Sequence, residues 1–251
     1  MSDDLNTLLG GWRYDPSAVT ARLIRGDDGV TKIQLRMDLG VLQMELDGRP
    51  DGRHPNGFAS LVDYHFDREE KQEAAGEEPF ALTPAEALEL QQEAAQYYYR
   101  YIASYALRDY ERVVEDTEHN LDIIDLVDRH TEDDELAWQF LQFYPYVRMM
   151  NARARGEWAG GQEAYDDAIQ AVEDGLADIR EFWTAHTEDG PEKHTREIDI
   201  LTELLSQLQQ KRPRTQRDVL LEELQRAIAA ENYERAAKLR DAIQSLPGPS
   251  A

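Results

Sequence analysis

The residues whose types and spacing hold the most chemical potential are Glu115, Asp116, His119 and Asp122. Asp116 and His119 stand three apart in a stretch that reads as helix, so both leave one face. A carboxylate and an imidazole so placed are the material of a metal site or of general acid–base catalysis. A di-iron bundle would require Glu-x-x-His on two separate helices. The chain has six histidines (His54, His65, His119, His130, His186 and His194), none of them in a Glu-x-x-His. The plainer reading of the run is a solvated acidic helix face. Gly-x-x-x-x-Gly-Lys-Ser/Thr, Gly-x-Ser-x-Gly and His-Glu-x-x-His are absent, as is any Gly-x-Gly-x-x-Gly after a strand. No catalytic residue, metal ligand set or cofactor is expected.

Three other stretches carry binding potential. The loop 47–57, Asp-Gly-Arg-Pro-Asp-Gly-Arg-His-Pro-Asn-Gly, is rich in turn formers and reads either as a structural Ω-type loop or as a seat for a small anion or a partner. Tyr97, Tyr101 and Tyr105 fall at i, i+4 and i+8. Such a stripe can stack bases, but at a net charge of −24 it reads as packed core. Lys211-Arg212-Pro213-Arg214 is the one basic run, best read as a solvated linker or a cationic helix end. The charge is unevenly spread. Residues 211–251 hold eight basic and six acidic side chains, a net of +2, which leaves −26 on residues 1–210. A body this acidic repels phosphate backbones, so direct nucleic-acid binding is not expected.

The sequence has no cysteine, which excludes disulfides, thiolate zinc sites and a cysteine nucleophile. Its first residues lack the apolar segment of a secretory signal, and no apolar run approaches the ~20 residues of a membrane span. A cytoplasmic protein is expected, with no membrane partner.

The elements that must position these residues follow from periodicity. A short helix is expected over 3–9, then a turn that anchors Trp12 onto a core. Period-two alternation of Val19, Ala21 and Leu23, of Ile33, Leu35 and Met37, and of Leu42, Met44 and Leu46 predicts a three-stranded antiparallel meander over 18–47 with one wet face. Residues 57–66 are expected to cover its apolar face as a short helix. The charged stretch 67–82 reads as linker. Thr83, Pro84 and Glu86 form a capping box, opening a helix to about 104. Residues 107–127 continue helical. A further helix starts at Thr131 to Asp134, is kinked at Pro145 and ends at Gly156 or Gly160-Gly161. Others are expected over 162–183 and from Pro191 to about Gln210. The fold class is therefore α+β, mainly α. It comprises a small N-terminal β module (1–66), a linker (67–82), an acidic bundle of antiparallel helix pairs (83–210), a helical hairpin (215–246) and a tail (247–251). Asp109-Tyr110-Glu111 and Glu157-Trp158-Ala159 sit alike in two helix pairs and distantly resemble a tetratricopeptide array. Their spacing is 48 residues, against about 34 in such repeats.

The hairpin is the most specific feature. Thr215 is an N-cap, with Asp218 at the positive helix end. Leu220, Leu221, Leu224, Ala227 and Ile228 form one apolar stripe. Glu231-Asn232 interrupts it, Asn232 caps a second helix, and Tyr233, Ala236, Leu239, Ile243 and Leu246 form its stripe before Pro247 stops it. The run Leu-Glu-Glu-Leu (221–224), then Ala227, then Asn-Tyr-Glu-Arg-Ala-Ala-Lys-Leu-Arg-Asp-Ala-Ile (232–243) resembles the UvrB/UvrC (UVR) motif. Residues 33–52 in turn resemble a group of bacterial UVR-motif proteins, a likeness that implies no chemistry. The UVR resemblance implies a docking element that pairs with a second UVR hairpin. In the family this joins subunits of the excision-repair nuclease, and it also occurs in protein quality-control adaptors.

The expected function is therefore a non-enzymatic adaptor for protein–protein interaction. Its partner would be a UVR-motif protein or a second copy in a homodimer. Leu224, Ile228, Tyr233, Ala236, Leu239 and Ile243 would supply apolar contact, with Arg240 and Asp241 setting register. One alternative is an accessory factor of nucleotide excision repair bound to an excinuclease subunit. Another, from a different class, is a metal-dependent enzyme built on His119. A third is a quality-control adaptor, disfavoured because those usually carry cysteine zinc sites.

Overall fold

The computed structural model describes residues 5–76, 78–187 and 195–245. Alternation in the N-terminal segment produces an antiparallel meander, β1 (Ala21–Arg25), β2 (Thr31–Arg36) and β3 (Val41–Glu45), in the order β1-β2-β3. Gly29, at φ +79°, supplies the left-handed residue of the first turn. The register aligns Leu23, Ile33 and Met44 across the sheet, with Ala21, Leu35 and Leu42 as the next row. Ile33, Leu35 and Met44 are buried together with Ala103, which belongs to a long helix, α3 (Pro84–Ala106). The cover is thus α3 and not the 57–66 stretch that the sequence points to. That stretch opens α2 (Leu61–Ala75), and Leu61 and Val62 pack into a different core with Phe80, Leu82 and Leu90.

The face expected to be wet is partly roofed. Arg22, Gln34 and Gln43 form one cross-strand row. Arg22 Nε donates to Gln34 Oε1 at 2.8 Å, and Gln34 Nε2 to Gln43 Oε1 at 2.9 Å. The Trp12 ring lies 4.1 Å from the Arg22 guanidinium, and the Trp12 carbonyl accepts from Arg36 Nε. Trp12 therefore anchors on the polar face by a cation–π contact, not on the apolar core.

Residues 67–75, expected as linker, are the latter part of α2. Ser60 caps its start, and Gly76 closes it at φ +65°. Several of the charged side chains that blur the apolar periodicity are paired. Lys71 pairs with Asp67, Arg68 with Glu86, and Glu69 with both Arg129 and His130. The last two residues sit at the end of α4 (Tyr110–His130). The capping box of α3 is formed as predicted. The helices on either side of residue 107 are separate, because Arg108 takes φ +60° and Asp109 caps α4. Pro145 breaks rather than kinks. α5 (Asp134–Leu141) ends before it, and α6 (Tyr144–Gly161) begins with it in the first turn, where its missing N–H costs no hydrogen bond. α7 (Tyr165–His186) and α8 (Thr195–Lys211) follow, and α1 (Leu5–Leu9) precedes the sheet. The predicted start of α8 at Pro191, Leu246 with the stop at Pro247, and residues 3 and 4 lie outside the described residues.

Tyr97 and Tyr101 are buried, and the Tyr105 hydroxyl donates to Glu157. The tyrosine stripe is core. Gly156 lies inside α6 and packs on α7: a Cβ there would meet Val172 Cγ2 at 2.6 Å. Gly175 of α7 is tighter, since its Cβ would come within 2.3 Å of Ala152 Cβ. Small residues let these two helices approach closely. Gly175→Ala is therefore expected to destabilise the protein by about 1–3 kcal/mol through overpacking, although alanine favours an isolated helix by up to about 1 kcal/mol. Urea unfolding followed by far-UV circular dichroism reads the sign.

The chain divides into two compact units, 1–209 and 210–251. The sheet and the helices up to Gln209 form the first. α9 (Gln216–Ala229) and α10 (Tyr233–Ser245) form the second.

Candidate functional site

The constellation on α4 is split by the fold. Glu115 and Asp122 face solvent, whereas Asp116 is 1% exposed and His119 is half-buried. The solvated-face reading is therefore wrong for the two residues with most potential. Asp116 accepts a two-pronged contact from Arg100 of α3, Nε to Oδ2 at 2.9 Å and Nη2 to Oδ1 at 2.6 Å. Burial pushes its carboxyl above the usual range, and the guanidinium opposes that. His119 stacks on Tyr97, centroids 3.6 Å apart, and its Nε2 lies 3.0 Å from Glu93 Oε1. Glu93 is fully buried. It accepts from the backbone N–H groups of Leu61 at 2.9 and 3.0 Å and of Val62 at 3.3 Å, and lies 3.2 Å from Arg49 Nε. A carboxylate there meets the positive end of α2. Among the described residues, no three His, Asp or Glu side chains converge as a metal site.

The same charges strap the loop 47–57. Arg100 Nη1 donates to the carbonyls of Gly48 at 2.6 Å and Glu45 at 3.1 Å. Arg112 bonds the Leu46 carbonyl and pairs with Asp47, and Gln96 Nε2 donates to Asp51 Oδ2. Arg49, Arg53 and His54 border a shallow cleft of ≈390 Å³ that Glu89 also lines. The network spends its charges on holding loop, α2, α3 and α4 together. Only the Asp116-x-x-His119 spacing signalled it in the sequence. Arg100 and Glu93 carried no signal, because their partners lie 16 to 32 residues away.

His65 belongs to the same region and is 1% exposed. Burial holds its pKa below the ordinary 6.5. Glu86, Glu89 and Glu93 pull it up and Arg68 pushes it down. Arg68 Nη1 lies 3.2 Å from Nδ1, so Nδ1 accepts and the neutral ring carries its proton on Nε2. A depressed folded pKa means stability present above the unfolded value of 6.5 and lost as pH falls through the folded value. Unfolding free energy should therefore drop between pH 7.5 and 5, and His65→Gln should flatten that drop in parallel urea titrations.

The second unit presents a surface of another kind. Thr215 and Asp218 form a reciprocal capping box, with Thr215 N and Oγ1 both 2.8 Å from Asp218 Oδ2. Glu231 turns the chain at φ +55°, and Asn232 Oδ1 accepts from Arg235 N at 3.1 Å to cap α10. Ala227, Ala236 and Leu239 are buried against Leu220 and Leu224, and Ile243 is buried too. Of the residues expected to meet a partner, Leu224, Ala236 and Leu239 thus close the hairpin on itself. Ile228 is 53% and Tyr233 69% exposed. Arg240 pairs with its neighbour Asp241 in solvent. Leu221 and Val219 are also exposed and were missed as contacts. Leu221 stands seven residues before Ile228, a spacing that puts both on one face.

Fold and surface define a mainly helical α+β unit and, after it in the chain, a helical hairpin with exposed apolar side chains. The family model described as the UvrB/uvrC motif matches residues 218–246, which makes the hairpin a UVR motif. No curated protein and no solved structure matches the chain. The motif is an interaction module of the protein-pairing and DNA-repair class, not a catalytic one. Among the described residues no helix is long and apolar enough to cross a membrane.

Proposed function

We propose that the chain is a non-catalytic adaptor that docks through α9–α10 onto a second UVR hairpin, carried by a partner or by another copy. The observation that carries this reading is the exposure of Val219, Leu221, Ile228 and Tyr233 on a hairpin that Leu220, Leu224, Ala227, Ala236 and Leu239 already close. Large apolar side chains left out on a short hairpin gain most by burial against another one. The charge distribution supports the same reading. Residues 211–251, which include Lys211, Arg212 and Arg214 just ahead of the hairpin, are net +2 and residues 1–210 are −26, so an acidic copy or partner is attracted to that basic run.

Substituting Ile228→Asp together with Tyr233→Asp removes the two most exposed of these apolar side chains while leaving Ala227, Ala236 and Leu239 in place. Light scattering of the full chain reads self-association, and affinity capture followed by mass spectrometry reads a partner. The wild type should dimerise or capture a protein that itself bears a UVR motif, and the double variant should do neither with its helical content unchanged. Equal association by both would sink the proposal. Capture of an excision-nuclease subunit would narrow the adaptor to repair.

A further inference from the structure

We propose that the cleft between the loop 47–57, the start of α2 and α3 binds a small zwitterion of the amino-acid class, its carboxylate on Arg53 and its ammonium on Glu89. The cleft measures ≈390 Å³, within the range of small-molecule sites, about 300–1,000 Å³. Arg53, His54 and Asn56 line it from the loop, and Glu89 and Gln92 from α3. Among the described residues, none of these five side chains has a hydrogen bond or an ion pair. Arg49 lines the same cleft, but its charge is answered inside the protein, where Nε lies 3.2 Å from Glu93 Oε2 and 3.4 Å from Asp51 Oδ1. Two opposite charges, Arg53 and Glu89, are therefore left over on one cleft without pairing with each other. Both are exposed, so a guest can reach them.

The backbone that carries Arg53 is tied to α3. Its N–H donates to Asp51 Oδ1 at 3.0 Å, and Asp51 Oδ2 accepts from Gln96 Nε2 of α3 at 3.2 Å. Glu89 and Gln92 stand three apart on that helix and so share a face. Charge then selects the guest. An isolated anion would meet Arg53 but also Glu89, in the field of a body at −26. An isolated cation would meet Glu89 but also Arg53 and Arg49. A zwitterion answers both leftover charges and carries no net charge into that field. The His54 ring and the Asn56 and Gln92 amides add donors and acceptors that suit either end of it.

The test titrates glycine, β-alanine and γ-aminobutyrate into the ¹⁵N-labelled full chain, with butyrate and butylamine as controls that carry one charge each, and follows the amide shifts. At least one of the zwitterions should bind with a dissociation constant of about 1 mM and move the amides of Arg53, His54 and Asn56. Butyrate and butylamine should bind about fivefold more weakly or worse, the scale of one solvent-exposed charge contact. Arg53→Gln and Glu89→Gln alter exposed, unpaired side chains, so the fold is retained. Each should weaken the best zwitterion about fivefold. Arg53→Gln should leave butylamine, and Glu89→Gln should leave butyrate, binding no more weakly than before. No shift with any of the three zwitterions at tens of millimolar overturns the proposal. Butyrate binding as tightly as the best zwitterion overturns the role of Glu89, and butylamine doing so overturns that of Arg53. Zwitterion binding unchanged in both variants overturns the location.

Discussion

Arg100→Ala is expected to destabilise the first unit by about 3–5 kcal/mol, the cost of leaving half of a buried ion pair uncompensated. Arg100 is 3% exposed and Asp116 1%. The substitution strands the Asp116 carboxylate in a site closed to water and removes the donor from the Gly48 and Glu45 carbonyls. The carbonyls matter less, because Gly48 is exposed and water can replace the guanidinium there. Against a typical stability of roughly 5–15 kcal/mol, the loss shows as a large fall in the urea midpoint. The double substitution Arg100→Met with Asp116→Leu removes both charges and should recover much of the loss, because what is costly is the unpaired charge and not the missing pair. A double-mutant cycle on urea unfolding measures the coupling. If Arg100→Ala and the double variant lose the same amount, or if the single variant loses under about 1 kcal/mol, the network does not lock the loop as described.

The second large effect is in the hairpin. Leu239→Asp places a carboxylate in the small cluster of Ala227, Ala236, Leu220 and Leu224. Loss of a buried leucine alone costs about 2–5 kcal/mol, and an unpaired buried charge adds to that. Two helices of 14 and 13 residues have no such reserve, since isolated helices of this length are marginal in water. The hairpin should therefore melt and association should be lost with it. The first unit, compact by itself, should keep its unfolding midpoint. Amide hydrogen exchange resolves this by region. Protection should vanish over 216–245 and persist in α3, α4, α6 and α7. This differs from Ile228→Asp with Tyr233→Asp, where protection stays and only association goes. Retained protection of α10 in the Leu239→Asp chain would show that Leu239 does not close the hairpin.

The comparison of these two sites shows where a linear reading succeeds. In the hairpin the informative contacts are close in sequence. Thr215 caps three residues ahead, Asn232 does the same, and the two stripes lie within one helix each. Period and capping therefore predict the elements. They do not tell which side of a stripe closes the hairpin and which is left outside. Ala236 and Leu239 went inward while Ile228 and Tyr233 stayed out, because the crossing of α9 and α10 chooses the face.

The sequence by itself determined the mainly helical α+β class, the meander and its turns, the capping box at Thr83, the N-cap at Thr215, the burial of Tyr97 and Tyr101, and the UVR motif. All rest on interactions within a few residues or on net composition. The tertiary structure alone decided that α3 covers the sheet, that residues 67–75 are helix, and that Asp116 and His119 are buried among Arg100, Glu93 and Tyr97. It alone also buried Asn120, whose Nδ2 reaches the Ala94 carbonyl. The physical reason is common to the last three. A charged or amide side chain looks solvent-bound in a linear pattern, and only partners brought from distant helices can remove it from water at tolerable cost.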